Sequence, residues 1–294
     1  MAQDRYSRQT ILPEIGGSGQ RRLAKARAAI IGCGALGTHS LSFLVRAGVG
    51  NIRVIDRDVV DITNLQRQTL FEEEDVGRPK ARVAQERATR INSETEVEGT
   101  VADINASTVE HFVKGADVVV DATDNMETRF IVNDACVKHA IPWVYGGAVG
   151  VSGMVLAVVP EGPCLRCVFR SLPEPGELPT CDTAGIVNTL PAAVSALQVS
   201  EAFKILTGRK PSPELLVLDI WSPDIQKVKV RKDPMCPSCG KKDFEYLVPR
   251  SGKLATALCG RTSVQVTPAK ARKGDLGAVK KRLERLGRVT SGDG

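Results

Sequence analysis

A chain of 294 residues, 42% hydrophobic and 25% charged, suffices for one large α/β domain with an appendage, and no apolar run reaches membrane-spanning length. The formal net charge of +6 sits at the end: residues 250–294 hold eleven Lys or Arg and three Asp or Glu, so the body is slightly acidic, which argues against a nucleic-acid-binding surface there. Eight cysteines without a charged-then-apolar leader predict a cytoplasmic chain whose thiols bind metal or react rather than form disulfides.

In chain order, an arm, Asp4-Arg5-Tyr6-Ser7-Arg8-Gln9-Thr10-Ile11-Leu12-Pro13, precedes a short amphipathic helix over about Gln20 to Ala26. The run Ala28-Ala29-Ile30-Ile31 predicts a strand, Gly32-Cys33-Gly34-Ala35-Leu36-Gly37 a glycine-rich turn, and Leu41, Leu44 and Val45 a helix from Thr38 to Ala47 that Gly48 ends. Such a unit cradles phosphate, because residues without Cβ let the backbone approach and the helix start offers free N–H groups. A second strand, Ile52 to Ile55, stops at Asp56, nineteen residues after Gly37, where an acidic side chain accepts hydrogen bonds from ribose hydroxyls.

Past an irregular polar stretch, Pro79 is placed as the first residue of a helix reaching about Ile91, with Lys80 in its first turn. Val97 to Ile104 alternates as a strand, Asn105 is a candidate cap for a short helix, and Asp117 to Asp121 reads as a buried parallel strand opening into Ala122-Thr123-Asp124-Asn125. A helix over about Glu127 to His139 comes next, then strands around Trp143 and over Met154 to Val159, and a Pro- and Gly-rich loop from Pro160 to Gly185. A helix over about Leu190 to Leu206 and strands around Val217 and Val228 finish the body. The alternation predicts a Rossmann-like α/β fold, a doubly wound, mostly parallel sheet with an antiparallel extension. The main domain is expected over residues 1–243, and residues 244–294 as a small basic α+β appendage with a helix over Asp275 to Leu286. The closing Ser291-Gly292-Asp293-Gly294 has the composition of a hairpin turn, which suggests a chain cut before its second strand.

Asn64, Arg67 and Lys80 crowd just past the nucleotide-binding edge. A triphosphate carries about four negative charges, and guanidinium and ammonium groups with Mg²⁺ hold it and stabilise charge building on pyrophosphate. A cation in a helix's first turn opposes the dipole, so Lys80 is explained better by a ligand than by solvation. Asp124 is the expected Mg²⁺ ligand, with a helix N-cap as its alternative role, and Asp121 is expected to be structural. Cys164-x-x-Cys167 and Cys236-x-x-Cys239 predict one closed four-thiolate Zn²⁺ site joining two distant segments. Cys33 and Cys136 read as packing residues; His39, His111 and His139 lack metal-ligand spacing. Cys181 lies in a polar loop where Asp182 would raise its pKa and a nearby helix start would lower it.

Taken together, Arg5-Tyr6-Ser7-Arg8-Gln9, the glycine turn, Asp56-x-Asp58, Asn64-Leu65-Gln66-Arg67-Gln68, Gly77-x-Pro79-Lys80 and Asp121-Ala122-Thr123-Asp124-Asn125 resemble the ThiF, MoeB and HesA adenylyltransferases, relatives of ubiquitin-activating enzymes, over about Arg5 to Gly240. The resemblance implies a homodimer that uses ATP and Mg²⁺ to adenylate the C-terminal glycine of a ubiquitin-like sulfur carrier of the ThiS or MoaD type, ending in Gly-Gly, with release of pyrophosphate. No rhodanese segment is evident, so the sulfur donor, a cysteine desulfurase or rhodanese-type protein, is expected to be separate. By the same resemblance Gly32, Gly34, Ala35 and Gly37 lie against the nucleotide, Asp56 holds the ribose, and Thr63, Asn64, Leu65, Gln66, Arg67 and Lys80 contact phosphates. Asp124 binds Mg²⁺ with Asn125 beside the nucleotide, and Arg8 reaches into the partner subunit's site. Related proteins carry a cysteine in the Cys181 loop, which in some attacks the acyl adenylate or joins sulfur transfer and in others is dispensable. The stretch Cys259 to Val266 resembles the thiazole branch and favours thiamin over molybdopterin biosynthesis.

Three other readings use the same residues. A nicotinamide-dependent oxidoreductase would need the glycine turn and Asp56 but leaves Arg67, Lys80 and Asp124 without a role. A zinc-stabilised nucleotide-binding scaffold would bind ATP without turnover. A tRNA-modifying adenylyltransferase of the same superfamily would use the basic tail, but the cysteine quartet and the Cys181 loop speak against it.

Overall fold

The computed structural model describes residues 5–173, 177, 179–248, 255–257, 264–266, 276–285 and 287. The chain divides into two units, Met1–Pro249 and Arg250–Gly294.

In the first unit, α1 (Ser7–Thr10) and α2 (Gly16–Leu23) lead into β1 (Arg27–Ile31), α3 (Ala35–Arg46), β2 (Asn51–Asp56), α4 (Lys80–Ile91), β3 (Glu96–Val101) and α5 (Val109–Val113). There follow β4 (Val118–Asp121), α6 (Met126–Lys138), β5 (Trp143–Val149), β6 (Ser152–Val158) and two single turns, α7 (Leu165–Val168) and α8 (Cys181–Ala184). The long α9 (Thr189–Leu206), β7 (Glu214–Asp219) and β8 (Asp224–Lys229) complete it. The strands form one sheet in the order β3-β2-β1-β4-β5-β6-β7-β8, parallel from β3 to β5 and antiparallel from β5 to β8. This is the expected Rossmann-like sheet with its antiparallel extension. Strand order reverses between β1 and β4, so their carboxyl ends flank the crevice where such sheets bind ligands.

Alternation along the strands explains the two-sided core. Ile30, Ile52, Val54, Val118 and Val120 pack in the layer built with α3, α4 and α9, whereas Ala29, Ile31, Ile55 and Val119 pack with α5, α6 and the cysteine segments. Ile30 is fully buried, and truncating it to Ala is expected to cost about 2–5 kcal/mol.

Several boundaries depart from the periodicity for local reasons. α3 begins at Ala35, three residues before Thr38, because Gly37 lets its first turn press onto the strand end; a Cβ there would stand 2.2 Å from the Gly32 carbonyl. α2 runs over Gly16–Leu23 instead of Gln20 to Ala26, since the carbonyls of Leu23 and Ala26 accept the Gly50 and Asn51 N–H groups at the entry to β2. Pro79 is the N-cap of α4, with an extended ψ of 126° and a bridge to Val59, so Lys80 is the first helical residue. Thr108 occupies the cap position of α5, while Asn105 accepts the Ser107 N–H in a turn of its own. β3 stops at Val101 because its partner β2 ends at Asp56. The predicted loop over Pro160 to Gly185 contains α7 and α8.

The second unit contains an antiparallel pair, β9 (Ala255–Ala257) and β10 (Val264–Val266), and α10 (Leu276–Leu283) within the predicted basic helix. Cys259, the rest of the stretch up to Ser263 and the predicted turn at 291–294 lie outside the described residues. Among the described residues no helix is long and apolar enough to cross a membrane.

Candidate nucleotide site and metal centre

Gly32 leaves β1 with φ +95°, and a Cβ on it would meet the Ala122 carbonyl at 2.6 Å, so the turn after β1 and the loop after β4 can touch only because this residue lacks a side chain. Gly34 occupies the N-cap position of α3, and Ala35 opens the helix. The first turn of a twelve-residue helix therefore presents its N–H groups at the carboxyl edge of the sheet.

Asp56 closes β2 beside this turn. Its Oδ2 accepts the Cys33 N–H at 2.6 Å and its Oδ1 accepts the Asp58 N–H at 2.7 Å, which fixes the carboxylate and shapes both backbones around it. Burial pushes the Asp56 carboxyl up, and the Lys80 ammonium offsets part of that rise. The Cys33 side chain is wholly buried, and burial pushes its thiol up, as expected of a packing residue; Cys136 behaves in the same way.

Lys80 is placed by its own backbone, whose N–H donates to the Asp58 carbonyl, and its side chain is only 7% exposed. Its Nζ stands 3.4 Å from Asp58 Oδ2, a long pairing for so buried an ammonium. Ahead of it, the turn at residues 73–78 is held by Asp75, which is fully buried and accepts from the Glu72 N–H, Arg78 and Arg87. Burial alone would raise Asp75, but those donors outweigh it and hold the carboxyl below its ordinary value. Asp75 is a residue that sequence patterning does not single out.

Thr63, Asn64, Leu65 and Gln66 form a short turn and its exit. Asp61 caps it by accepting from Thr63, and Asn64 Oδ1 accepts the Asp61 N–H. Thr63 and Gln66 are exposed, and Arg67, half-buried, donates from Nη1 to the Thr63 carbonyl at 3.0 Å. The Gln68 carboxamide, 4% exposed, lies next to Gly34.

At the end of β4 the alternative role of Asp124 as a helix cap is excluded. Asp124 is exposed and does not cap α6; Asn125 does, accepting the Thr128 N–H at 2.8 Å, and its amide leans on Asp124 Oδ1 at 3.4 Å. That leaves the Asp124 carboxylate facing outward, as a metal ligand requires. Asp121 is structural: fully buried, it accepts from the Thr123 N–H and hydroxyl and pairs with Arg129 at 3.3 Å.

β5 runs parallel to β4, so its carboxyl end lies on the same edge, and there the Cys181 Sγ stands 3.5 Å from the Ala148 carbonyl. Cys181 is partly buried and opens α8, which Thr180 caps. The arm is elsewhere. Tyr6 packs on Gly48, where a Cβ would stand 2.5 Å from its ring, its hydroxyl bonds Asn92 and Glu94, and the Gln9 amide donates to the Ala47 carbonyl. All of these lie at the C-terminal ends of α3 and α4, on the amino edge of the parallel strands. Arg8, exposed on α1, is therefore on the side opposite its own glycine turn.

On the α6 face of the sheet the Sγ atoms of Cys164, Cys167, Cys236 and Cys239 lie within 4.8 Å of one another, with Cys164 to Cys236 at 3.6 Å and Cys167 to Cys239 at 3.4 Å. A tetrahedral ion with bonds of about 2.3 Å spaces its sulfurs about 3.8 Å apart, so the quartet fits one metal and leaves no open position. The thiols themselves ask for a cation. A hydrogen bond between Cys164 and Cys167 pushes the first up and pulls the second down to about 4, and burial pushes Cys239 up to about 12, so the bare cluster cannot carry four negative charges. Asn133 of α6 supports both knuckles, accepting the Leu165 N–H at 3.0 Å and donating to Ser238 Oγ at 3.0 Å. Arg166, between the first two cysteines, is clasped by the rings of Phe130 and Tyr246 and paired with Glu245 at 2.7 Å. Neither residue carries a motif, and both were invisible to spacing rules.

The model of the ThiF family matches residues 6–238. The sulfur carrier protein ThiS adenylyltransferase of Bacillus subtilis (strain 168) is 46% identical over 288 residues, covering 96% of this chain and 85% of that protein. The SAMP-activating enzyme E1 of Haloferax volcanii is 41% identical over 252 residues, covering 83% of this chain and 93% of that protein. Among solved structures, E. coli MccB with ATP superposes with a TM-score of 0.70 at 27% identity, covering 81% of this chain and 74% of that one. With the glycine turn, the Asp56 and Lys80 edge and Cys164, Cys167 and Cys236 of the quartet inside the matched span, the chain belongs to the ThiF family.

Proposed function

We propose that this chain adenylates the C-terminal glycine of a ThiS-type sulfur carrier ending in Gly-Gly, consuming ATP and releasing pyrophosphate. The observation that carries the reading is the continuous path from Lys80 through Asp58 and Asp56 to the Cys33 N–H, which ties a nearly buried ammonium to a phosphate-binding turn. The glycine turn and the start of α3 bind the nucleotide, Asp56 orients the ribose, and Thr63, Asn64, Leu65, Gln66 and Arg67 meet the phosphates together with Lys80 and Asn125. Mg²⁺, held by Asp124, supplies charge neutralisation on the phosphate oxygens. The chain's part is positioning: the carrier carboxylate attacks the α-phosphorus, pyrophosphate leaves, and Arg67 and Lys80 stabilise the charge that develops on it. No protein nucleophile is needed for this step.

Cys181 serves the following step, in which its thiolate attacks the acyl adenylate, forming a thioester and expelling AMP, before a separate sulfur donor of the cysteine desulfurase or rhodanese type delivers sulfur. Arg8, on the amino edge, serves the partner subunit's site in a homodimer. Zn²⁺ occupies the cysteine quartet as a structural ion. Support for a ThiS-type carrier comes from the B. subtilis relative, whose match extends over 96% of the chain and so into the second unit. The likeness to MccB, solved with N-formylated MccA, favours a second reading in which the substrate is a short peptide.

ATP–pyrophosphate exchange tests both. Exchange is expected with a ThiS-type carrier and not with the same carrier lacking its terminal glycine. Exchange supported by a MoaD-type carrier alone moves the pathway, exchange supported by a free peptide alone moves the substrate class, and exchange with none of them sinks the reading.

A further inference from the structure

β4 and β5 pair over only two positions, Val119 with Trp143 and Val120 with Val144, and beyond these the strands part at the edge that carries Asp124. Past that point side chains replace the missing ladder. From one face Gln198 of α9 donates its Nε2 to the Asp121 carbonyl at 2.6 Å and to the Val144 carbonyl at 2.8 Å. From the α6 face Arg129 donates its Nη2 to the Thr123 carbonyl at 2.7 Å and to the Gly146 carbonyl at 3.1 Å, with its guanidinium over the Tyr145 ring and its Nε 3.3 Å from Asp121 Oδ2.

One residue on each side of the split, Thr123 just past β4 and Gly146 in β5, is thus fixed by one planar cation. Thr123 is gripped twice, through its N–H and hydroxyl by Asp121 and through its carbonyl by Arg129, and it is the residue immediately before Asp124. Gly146 lies two residues before Ala148, whose carbonyl faces the Cys181 thiol. Nη2 meets both carbonyls while Nε faces the Asp121 carboxylate, so a lysine ammonium would keep the charge but lack the second arm of the fork.

We propose that Arg129 is a positioning residue for the adenylation site, setting the Asp124 loop against β5 so that the metal-binding carboxylate stands at a fixed distance from the strand that leads to Cys181. This rests on the reading of Asp124 as the Mg²⁺ ligand. Arg129 touches neither nucleotide nor metal in this scheme and acts through Thr123 and Gly146.

The test titrates Mg²⁺ in ATP–pyrophosphate exchange on the full chain with a ThiS-type carrier, for the wild type, D124N, R129K and the double variant D121N/R129Q. The double variant removes both buried charges together, so it avoids the unpaired charge that a single change leaves. Thermal midpoint and zinc content are taken on each. R129K and D121N/R129Q are expected to fold and keep zinc, while the rate falls or the Mg²⁺ requirement rises by about 10–100-fold, the usual effect of losing a group that orients a metal ligand. A folded R129K or D121N/R129Q with wild-type Mg²⁺ dependence overturns the proposal, and so does loss of folding in both, which would make Arg129 structural alone. An active wild type whose Mg²⁺ dependence D124N leaves unchanged rejects the Asp124 assignment and this proposal with it, whereas a wild type inactive with every carrier rejects the adenylation reading itself.

Discussion

The carboxyl edge of the parallel strands and the cysteine quartet are both built from charged or chargeable groups, yet they are finished differently. At the edge, Asp124 is exposed, Arg67 is only half-buried and the Lys80 ammonium stands 3.4 Å from its nearest ion-pair partner, Asp58, so the charges await something from outside. At the quartet, four sulfurs face one another, and Asn133 and Ser238 close the surroundings. Open coordination belongs to a region that turns over a ligand, and closed coordination to one that holds the chain together.

The contrast breaks most visibly through the quartet. Stripping the metal with a strong chelator, or Cys236→Ser, is expected to lower stability on the order of 5 kcal/mol or more, read as a fall in thermal midpoint and as lost hydrogen-exchange protection in α7 and residues 233–247. Unchanged protection would mean the thiols are not a metal staple. Next comes the open edge, where Lys80→Ala should slow pyrophosphate exchange by about 10²–10³-fold with the thermal midpoint nearly kept. An equal loss of stability would make Lys80 a structural cation.

Acid sharpens the comparison further. Asp75 has a folded pKa below the unfolded value of 3.8, so its contribution is complete above that value and disappears as pH falls through the depressed folded one. The stability gap between wild type and Asp75→Asn, measured by denaturant titration, should therefore be constant near neutrality and close below pH 3.8. A gap that survives stronger acid would show that shape, not charge, matters at Asp75. Smaller still, Asn125→Ala should cost about 1 kcal/mol as a lost N-cap, detectable by the same titration. The smallest effect on exchange is expected at Cys181→Ser, which should leave it unchanged while abolishing thiocarboxylate formation; slowed exchange would place the thiol in the first step.

Much of this was legible in the chain. Ile30 and Ile31, Asp56, the two CxxC pairs and the loop after Asp121 announce themselves through local rules: alternation, a fixed offset from a glycine turn, or ligand spacing. What escaped depends on contacts between distant segments. Asp75 and Arg87 meet across a turn and a helix, Asn133 reaches two knuckles far apart in sequence, and Arg129 matters only because β5 arrives beside β4. The helix starts at Ala35 and Lys80 shifted for a related reason: Gly37 and Pro79 were read as local signals, but their positions are fixed by the Gly32 carbonyl and by Val59. The capping role offered as the alternative for Asp124 falls to Asn125, because either side chain can accept from the helix start and only the backbone geometry decides between them.

α6 joins the two regions. Its thirteen residues rise about 20 Å, and along it Asn125 caps the start, Arg129 grips the strands, and Asn133, one turn further on, holds the knuckles. The helix is in effect a ruler with marks four residues apart. Inserting a single residue between Arg129 and Asn133 would rotate one mark about 100° from the other, so the nucleotide edge and the metal centre could not both stay in register; their spacing is written in helical phase rather than in any contact between them.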